Sequence, residues 1–202
     1  MSTFVLYFGG WQASLLNVKD WMASARHQSP GITFDAYPYP DPSADGAVAL
    51  ATFKSTGDFA KAVGKVQSST ADSIYIVGHS SGCAIANAVD AELKNYNKIT
   101  LVALDGYCPS EAQLGRPGTQ VWVADSPTGR SLHYDDLQKS VKNYDLKNKD
   151  WVWVNVHHAG ADCSTKLSLH FSLVNLNSSD DAVKSIPQGY TNCQANLCFI
   201  NP

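Results

Sequence analysis

The sequence predicts an α/β protein: a mainly parallel, doubly wound sheet of about six strands, with helices on both faces in three layers. Three observations carry this. Short apolar runs recur along the chain, amphipathic segments of helical period lie between most of them, and candidate polar residues cluster just after the runs rather than within them. Regular alternation of strand and helix demands crossover connections, and crossovers make neighbouring strands parallel.

The strands are predicted at 3–8, 31–36, 73–77, 99–104, 119–124 and 151–156. The first helix shows one apolar face in Leu15, Val18 and Met22. Tyr37-Pro38-Tyr39-Pro40-Asp41-Pro42 then predicts an irregular, proline-stiffened connection that lines the site or bridges to the next helix. Phe59, Ala62, Val63 and Val66 form a second helical face with Asp58 as its N-cap, and Ile85, Val89 and Leu93 a third. Leu137, Val141 and Tyr144 form a fourth behind Asp135, and Leu167, His170, Phe171 and Val174 share a last one. At 202 residues the chain fits a single domain over 1–202, with an irregular tail at 190–202.

Composition narrows the function. A hydrophobic fraction of 44%, 16% charged residues and a net charge of -3 without basic clusters leave no electrostatic footprint for nucleic acid or an anionic membrane. No stretch is long and apolar enough to span a bilayer, and the first strand starts at once, so a soluble, cytoplasmic protein is expected. The five cysteines show no C-x-x-C spacing, and no metal site is expected. Cys83 reads as a small buried residue, while Cys193 and Cys198 could close a loop in an oxidising compartment.

The chemistry is concentrated in Gly78-His79-Ser80-Ser81-Gly82, a G-x-S-x-G pattern placed directly between a predicted strand and a predicted helix. A sharp turn there lifts a serine hydroxyl out of the backbone, which makes Ser80 the candidate nucleophile. It needs an imidazole to accept its proton and a carboxylate to orient that imidazole. Chain order from serine to acid to histidine leaves Asp105 and Asp125 as acids at strand ends. His170 is the first choice of base, with His157 and His158 as alternatives. Two N–H donors must meet the developing oxyanion: Ser81 would supply one and the Gly9-Gly10 loop the other. Trp11, His79 and Tyr107 are the candidate substrate-binding residues.

The ordered pieces Phe8-Gly9-Gly10, the Ser80 elbow, Leu101-Val102-Ala103-Leu104-Asp105-Gly106-Tyr107-Cys108-Pro109 and His170-Phe171-Ser172-Leu173-Val174 resemble the thioesterase domains of nonribosomal peptide and polyketide synthases, within the α/β-hydrolase superfamily. The resemblance favours Asp105 as the acid. It also implies an acyl or peptidyl thioester substrate, released by hydrolysis or cyclisation through an acyl-Ser80, with any carrier protein a separate chain. The lid common in that family has only Gly106 to Gly118 available here. A carboxylesterase or lipase-like activity, an acyltransferase or cyclase, and a non-catalytic binding protein on the same fold are the alternatives. The proposed chemistry requires no cofactor.

Overall fold

The computed structural model describes residues 1–28, 31–106, 116–143, 151–159 and 165–174. Seven strands, β1 (Thr3–Phe8), β2 (Ile32–Tyr37), β3 (Ser73–His79), β4 (Ile99–Leu104), β5 (Gln120–Ser126), β6 (Gly129–Arg130) and β7 (Val152–His157), join in one sheet. β2, β1, β3, β4, β5 and β7 pair in that order and are parallel throughout; the two-residue β6 is antiparallel on β5. Because β2 lies on one side of β1 and β3 on the other, the winding reverses between β1 and β3. A crevice opens at such a point beyond the carboxyl ends of the strands.

Six helices lie among the described residues: α1 (Leu15–Gln28), α2 (Gly46–Ser55), α3 (Asp58–Ser68), α4 (Gly82–Ala91), α5 (Tyr134–Asn143) and α6 (Lys166–Ser172). Side chains alternate along β1 and so feed two cores. Val5 and Tyr7 pack with Val18 and Trp21 of α1 and Leu169 of α6. Phe4, Leu6 and Phe8 pack on the opposite face with Phe53, Val66 and Ile85 of α2, α3 and α4. A smaller cluster of Val121, Val123, Tyr134 and Leu137 seats α5 on β5. The doubly wound, mainly parallel, three-layer architecture is thus the one the alternation predicts.

Differences are local. The segment after the prolines contains an unpredicted helix, α2, whose Asp45 side chain accepts from the N–H groups of Ala47 and Val48 and whose Ala49 and Phe53 enter the core. α3 begins one residue earlier than expected: its N-cap is Gly57, at φ 79°, and Asp58 is inside the first turn. α5 likewise starts at Tyr134, so Asp135 stands in its first turn instead of ahead of it. The Ser-Pro-Thr-Gly turn after β5 folds back as β6, pairing Asp125 with Arg130. Tyr144, Cys193 and Cys198 lie outside the described residues.

Candidate active site

β3 delivers Ser80 one residue beyond its last position, and the following residues enter α4. Ser80 has φ 53°, a left-handed conformation that is costly for a non-glycine residue and is held here by its surroundings. Its N–H donates to Leu104 O at 3.1 Å, and its carbonyl accepts from Cys83 N at 3.1 Å. The turn also needs room. A Cβ on Gly82 would stand 2.5 Å from Phe8 O and 2.6 Å from Gly9 O, so only glycine lets α4 close on the end of β1. Cys83 is buried behind the turn, its thiol donating to Gly78 O at 3.1 Å.

Asp105 follows β4, also at positive φ (42°), and is fully buried. Its Oδ2 lies 2.5 Å from His170 Nδ1, while Oδ1 accepts from Ser131 Oγ at 2.8 Å. The His133 N–H reaches both carboxylate oxygens, at 3.3 and 3.2 Å. A buried carboxylate is costly unless hydrogen-bonded, and these donors meet that requirement. His170 comes from α6, which starts with a capping box in which Thr165 and Ser168 satisfy each other's backbone N–H groups. α6 lies against β5, and His170 is only 3% exposed.

Ser80 and His170 line one cleft of about 300 Å³, together with Gly10, His79, Trp11 and residues of α1. No hydrogen bond joins Ser80 to His170 among the described residues. Such bonds are often long in the unliganded state and tighten around substrate. His79 is buried against the same histidine: the rings are 4.3 Å apart, and His79 Nε2 is 3.3 Å from His170 O. Burial and then the neighbouring His170 push the His79 imidazole well below its ordinary range, so it stays neutral.

The loop after β1 approaches the serine closely. A Cβ on Gly10 would meet Ser80 Cβ at 2.7 Å, so a side chain there would close the site. Neither Gly10 N–H nor Ser81 N–H has an acceptor among the described residues, whereas Gly9 N–H donates to Tyr37 O at 3.0 Å. Gly9 is therefore a poor oxyanion donor: its N–H already serves the β1–β2 connection. The proline-rich segment braces this loop, with Trp11 Nε1 donating to Pro42 O at 2.9 Å and Tyr39 N–H to Ala13 O at 2.9 Å. Tyr107 lies outside the described residues.

The other candidates are held elsewhere. His157 Nδ1 sits 2.8 Å from Asp125 Oδ1, and Asn155 Nδ2 donates to Asp125 Oδ2 at 2.7 Å. His158 Nε2 is 3.0 Å from Ser172 Oγ, which is fully buried and donates to Leu169 O. Ser131 and His133, the further partners of Asp105, escaped the sequence reading; the only local hint was the turn preceding them. Gln12, at φ 64° in the cleft wall, gave no signal at all.

The described residues contain no cluster of three or more metal-ligating side chains and no helix long and apolar enough to cross a membrane. No family model matches the chain, and no curated protein does. Among solved structures it is similar to the RedJ thioesterase of the prodiginine biosynthetic pathway in Streptomyces coelicolor. The identity is 10%, the match covers 85% of this chain and 80% of that one, and the TM-score is 0.50. It is also similar to a phospholipase/carboxylesterase from Dyadobacter fermentans, at 15% identity over 78% of this chain and 81% of that one, with a TM-score of 0.47. A third is SOBER1 from Arabidopsis thaliana, at 14% identity over 86% of this chain and 98% of that one, with a TM-score of 0.48. At such identities likeness speaks for architecture and not for substrate. Strand order, crossovers and the RedJ superposition together give this chain the α/β-hydrolase fold.

Proposed function

We propose that the protein is a serine acyl hydrolase that acts through an acyl-Ser80 intermediate, with His170 as base and Asp105 as the acid that orients it. One observation carries this reading: a serine in a strained strand-to-helix turn shares a cleft with a histidine whose Nδ1 is bonded to a buried, fully hydrogen-bonded carboxylate. With Nδ1 engaged by Asp105, Nε2 keeps the lone pair that takes the serine proton. The proton then passes to the leaving group, and water repeats the sequence on the acyl-enzyme. The N–H groups of Ser81 and Gly10 supply the oxyanion donors. Trp11 and His79 form the substrate-facing wall.

Within this class we favour a thioester, carried by an acyl or peptidyl carrier protein. That choice rests on the Leu104-Asp105-Gly106-Tyr107 resemblance described above. Incubation with matched acyl thioesters and p-nitrophenyl esters, followed by intact-mass analysis, tests it. Faster acylation by thioesters is expected. Acylation by oxygen esters alone would make the protein a carboxylesterase, and no acylation by either would leave a binding protein on a hydrolase fold.

A further inference from the structure

The cleft that Ser80 lines is walled largely by apolar side chains. Its walls beyond the reacting groups come from the end of β1, from α1, and from α6 and the residues just after it: Tyr7, Val18, Trp21, Phe171 and Val174. Tyr7 and Trp21 stack with ring centroids 4.1 Å apart, giving this wall a rigid aromatic floor. Besides Ser80, His79 and His170, the polar groups in the described lining are the side chains of Gln12 and Asn17 and the ring O–H or N–H groups of Tyr7, Trp11 and Trp21, and none of the described lining residues is Asp, Glu, Lys or Arg. Trp11 at the cleft, and Leu15 and Leu16 at the start of α1, are 58%, 55% and 59% exposed. Large apolar side chains left in water beside a concave site mark a surface that a ligand covers.

We propose that the start of α1 and the facing side of α6 form the acyl-binding pocket, selective for an uncharged, apolar acyl group whose far end runs out over Trp11, Leu15 and Leu16. This rests on the reading of Ser80 as nucleophile and adds the substrate class to it. The cleft volume, at the low end of the roughly 300–1,000 Å³ of small-molecule sites, suits a short to medium chain inside, with longer ones lying on the rim. A charged end group would lose its water and find no partner of opposite charge in these walls.

A series of p-nitrophenyl esters tests this: acetate, butyrate, hexanoate and octanoate, with aminohexanoate and the monoester of adipate as charged counterparts. For the parent, kcat/KM should rise about threefold to fourfold per methylene until the pocket is filled. Both charged esters should fall about tenfold or more below hexanoate. Asn17→Asp sharpens the test. Asn17 Oδ1 accepts from Ser14 N and Oγ, both at 2.7 Å, and an aspartate keeps that acceptor while placing a negative charge in the wall. It should raise the aminohexanoate-to-hexanoate ratio about tenfold and lower the adipate ratio, a sign-dependent response that a loss of packing would not produce. Leu16→Ser, on the exposed rim, should shrink the octanoate preference over butyrate about twofold to threefold.

Equal acylation by all the esters, or unchanged ratios in both variants, would overturn the pocket while leaving the Ser80 reading in place. A parent that takes no acyl group from any of these esters or from the matched thioesters would overturn both.

Discussion

Two carboxylate–histidine pairs stand at neighbouring strand ends, and they differ in almost everything except the bond itself. Asp105 and His170 meet at 2.5 Å with side chains 0% and 4% exposed, inside a ring formed by Ser131, His133 and His79. Asp125 and His157 meet at 2.8 Å with side chains 24% and 62% exposed, beside Asn155, Arg130 and His158 on the β5–β7 pairing. In water such a pair is worth little, because solvent screens the charges and ordering the side chains costs entropy. In the interior the same pair fixes a tautomer and a ring orientation, provided that every lone pair is met. A short distance between acid and imidazole therefore does not identify a catalytic pair. Asp105 and His170 are the proposed pair because of burial, full hydrogen bonding and a serine in the same cleft.

The largest expected contrast lies between the two histidines. His170→Ala should lower turnover on the order of a millionfold, the usual result of removing one member of a unit that acts together. His157→Ala should leave turnover within about twofold. Steady-state rates with one activated ester decide this, and a severe loss in His157→Ala would reverse the roles of the pairs.

Next come the acids. Asp105→Asn should cost about four orders of magnitude, since an amide holds the wrong histidine tautomer. Asp125→Asn should cost less than about threefold in the same assay. A mild Asp105→Asn beside a severe Asp125→Asn would return the acid to the second strand end.

The buried centre should also set how stability depends on pH. Burial lowers the imidazoles of His79, His133 and His158 below their ordinary range, so all three are neutral when folded but take protons more readily when unfolded. The unfolded state then binds more protons once pH drops below the ordinary histidine value of about 6.5, and stability should fall on acidification from there. Denaturant midpoints at pH 7.5, 6 and 5 measure it, and His79→Gln should flatten the trend. A midpoint that rises toward pH 5 would contradict the assignment.

The smallest effect belongs to the exposed pair. Burial alone would raise the Asp125 carboxyl, but hydrogen bonds from Asn155 and His157 outweigh it and hold it below its ordinary value. Even so, Asp125→Ala should change stability by about 1 kcal/mol or less at neutral pH, by the same denaturant measurement.

How far the sequence reaches follows the same division between local and long-range causes. The central strands were legible because both their faces are largely buried, which leaves unbroken apolar runs such as Ile74 to Val77. The turn at Ser80 was legible because its glycines answer a local steric need. α2 was not: its signal, Asp45 ahead of a run of small apolar residues, sits directly behind a proline-rich loop. Nor were Ser131 and His133, which bond to a carboxylate 26 and 28 residues away and have no periodicity to betray them. By position alone the sequence presents Asp105 and Asp125 as equals, each just past or at a strand end, and it is the motif resemblance that favours Asp105. What separates them is tertiary: one side chain turns into the interior toward α6, the other pairs with the edge strand β7.

If Ser80 is a nucleophile activated within this buried centre, a fluorophosphonate should modify it, and intact-mass analysis followed by peptide mapping reads this out. One adduct is expected, on the peptide that contains Ser80, absent from Ser80→Ala and formed much more slowly in Asp105→Asn. A parent chain that stays unlabelled, or a Ser80→Ala variant labelled as fast as the parent, would contradict it.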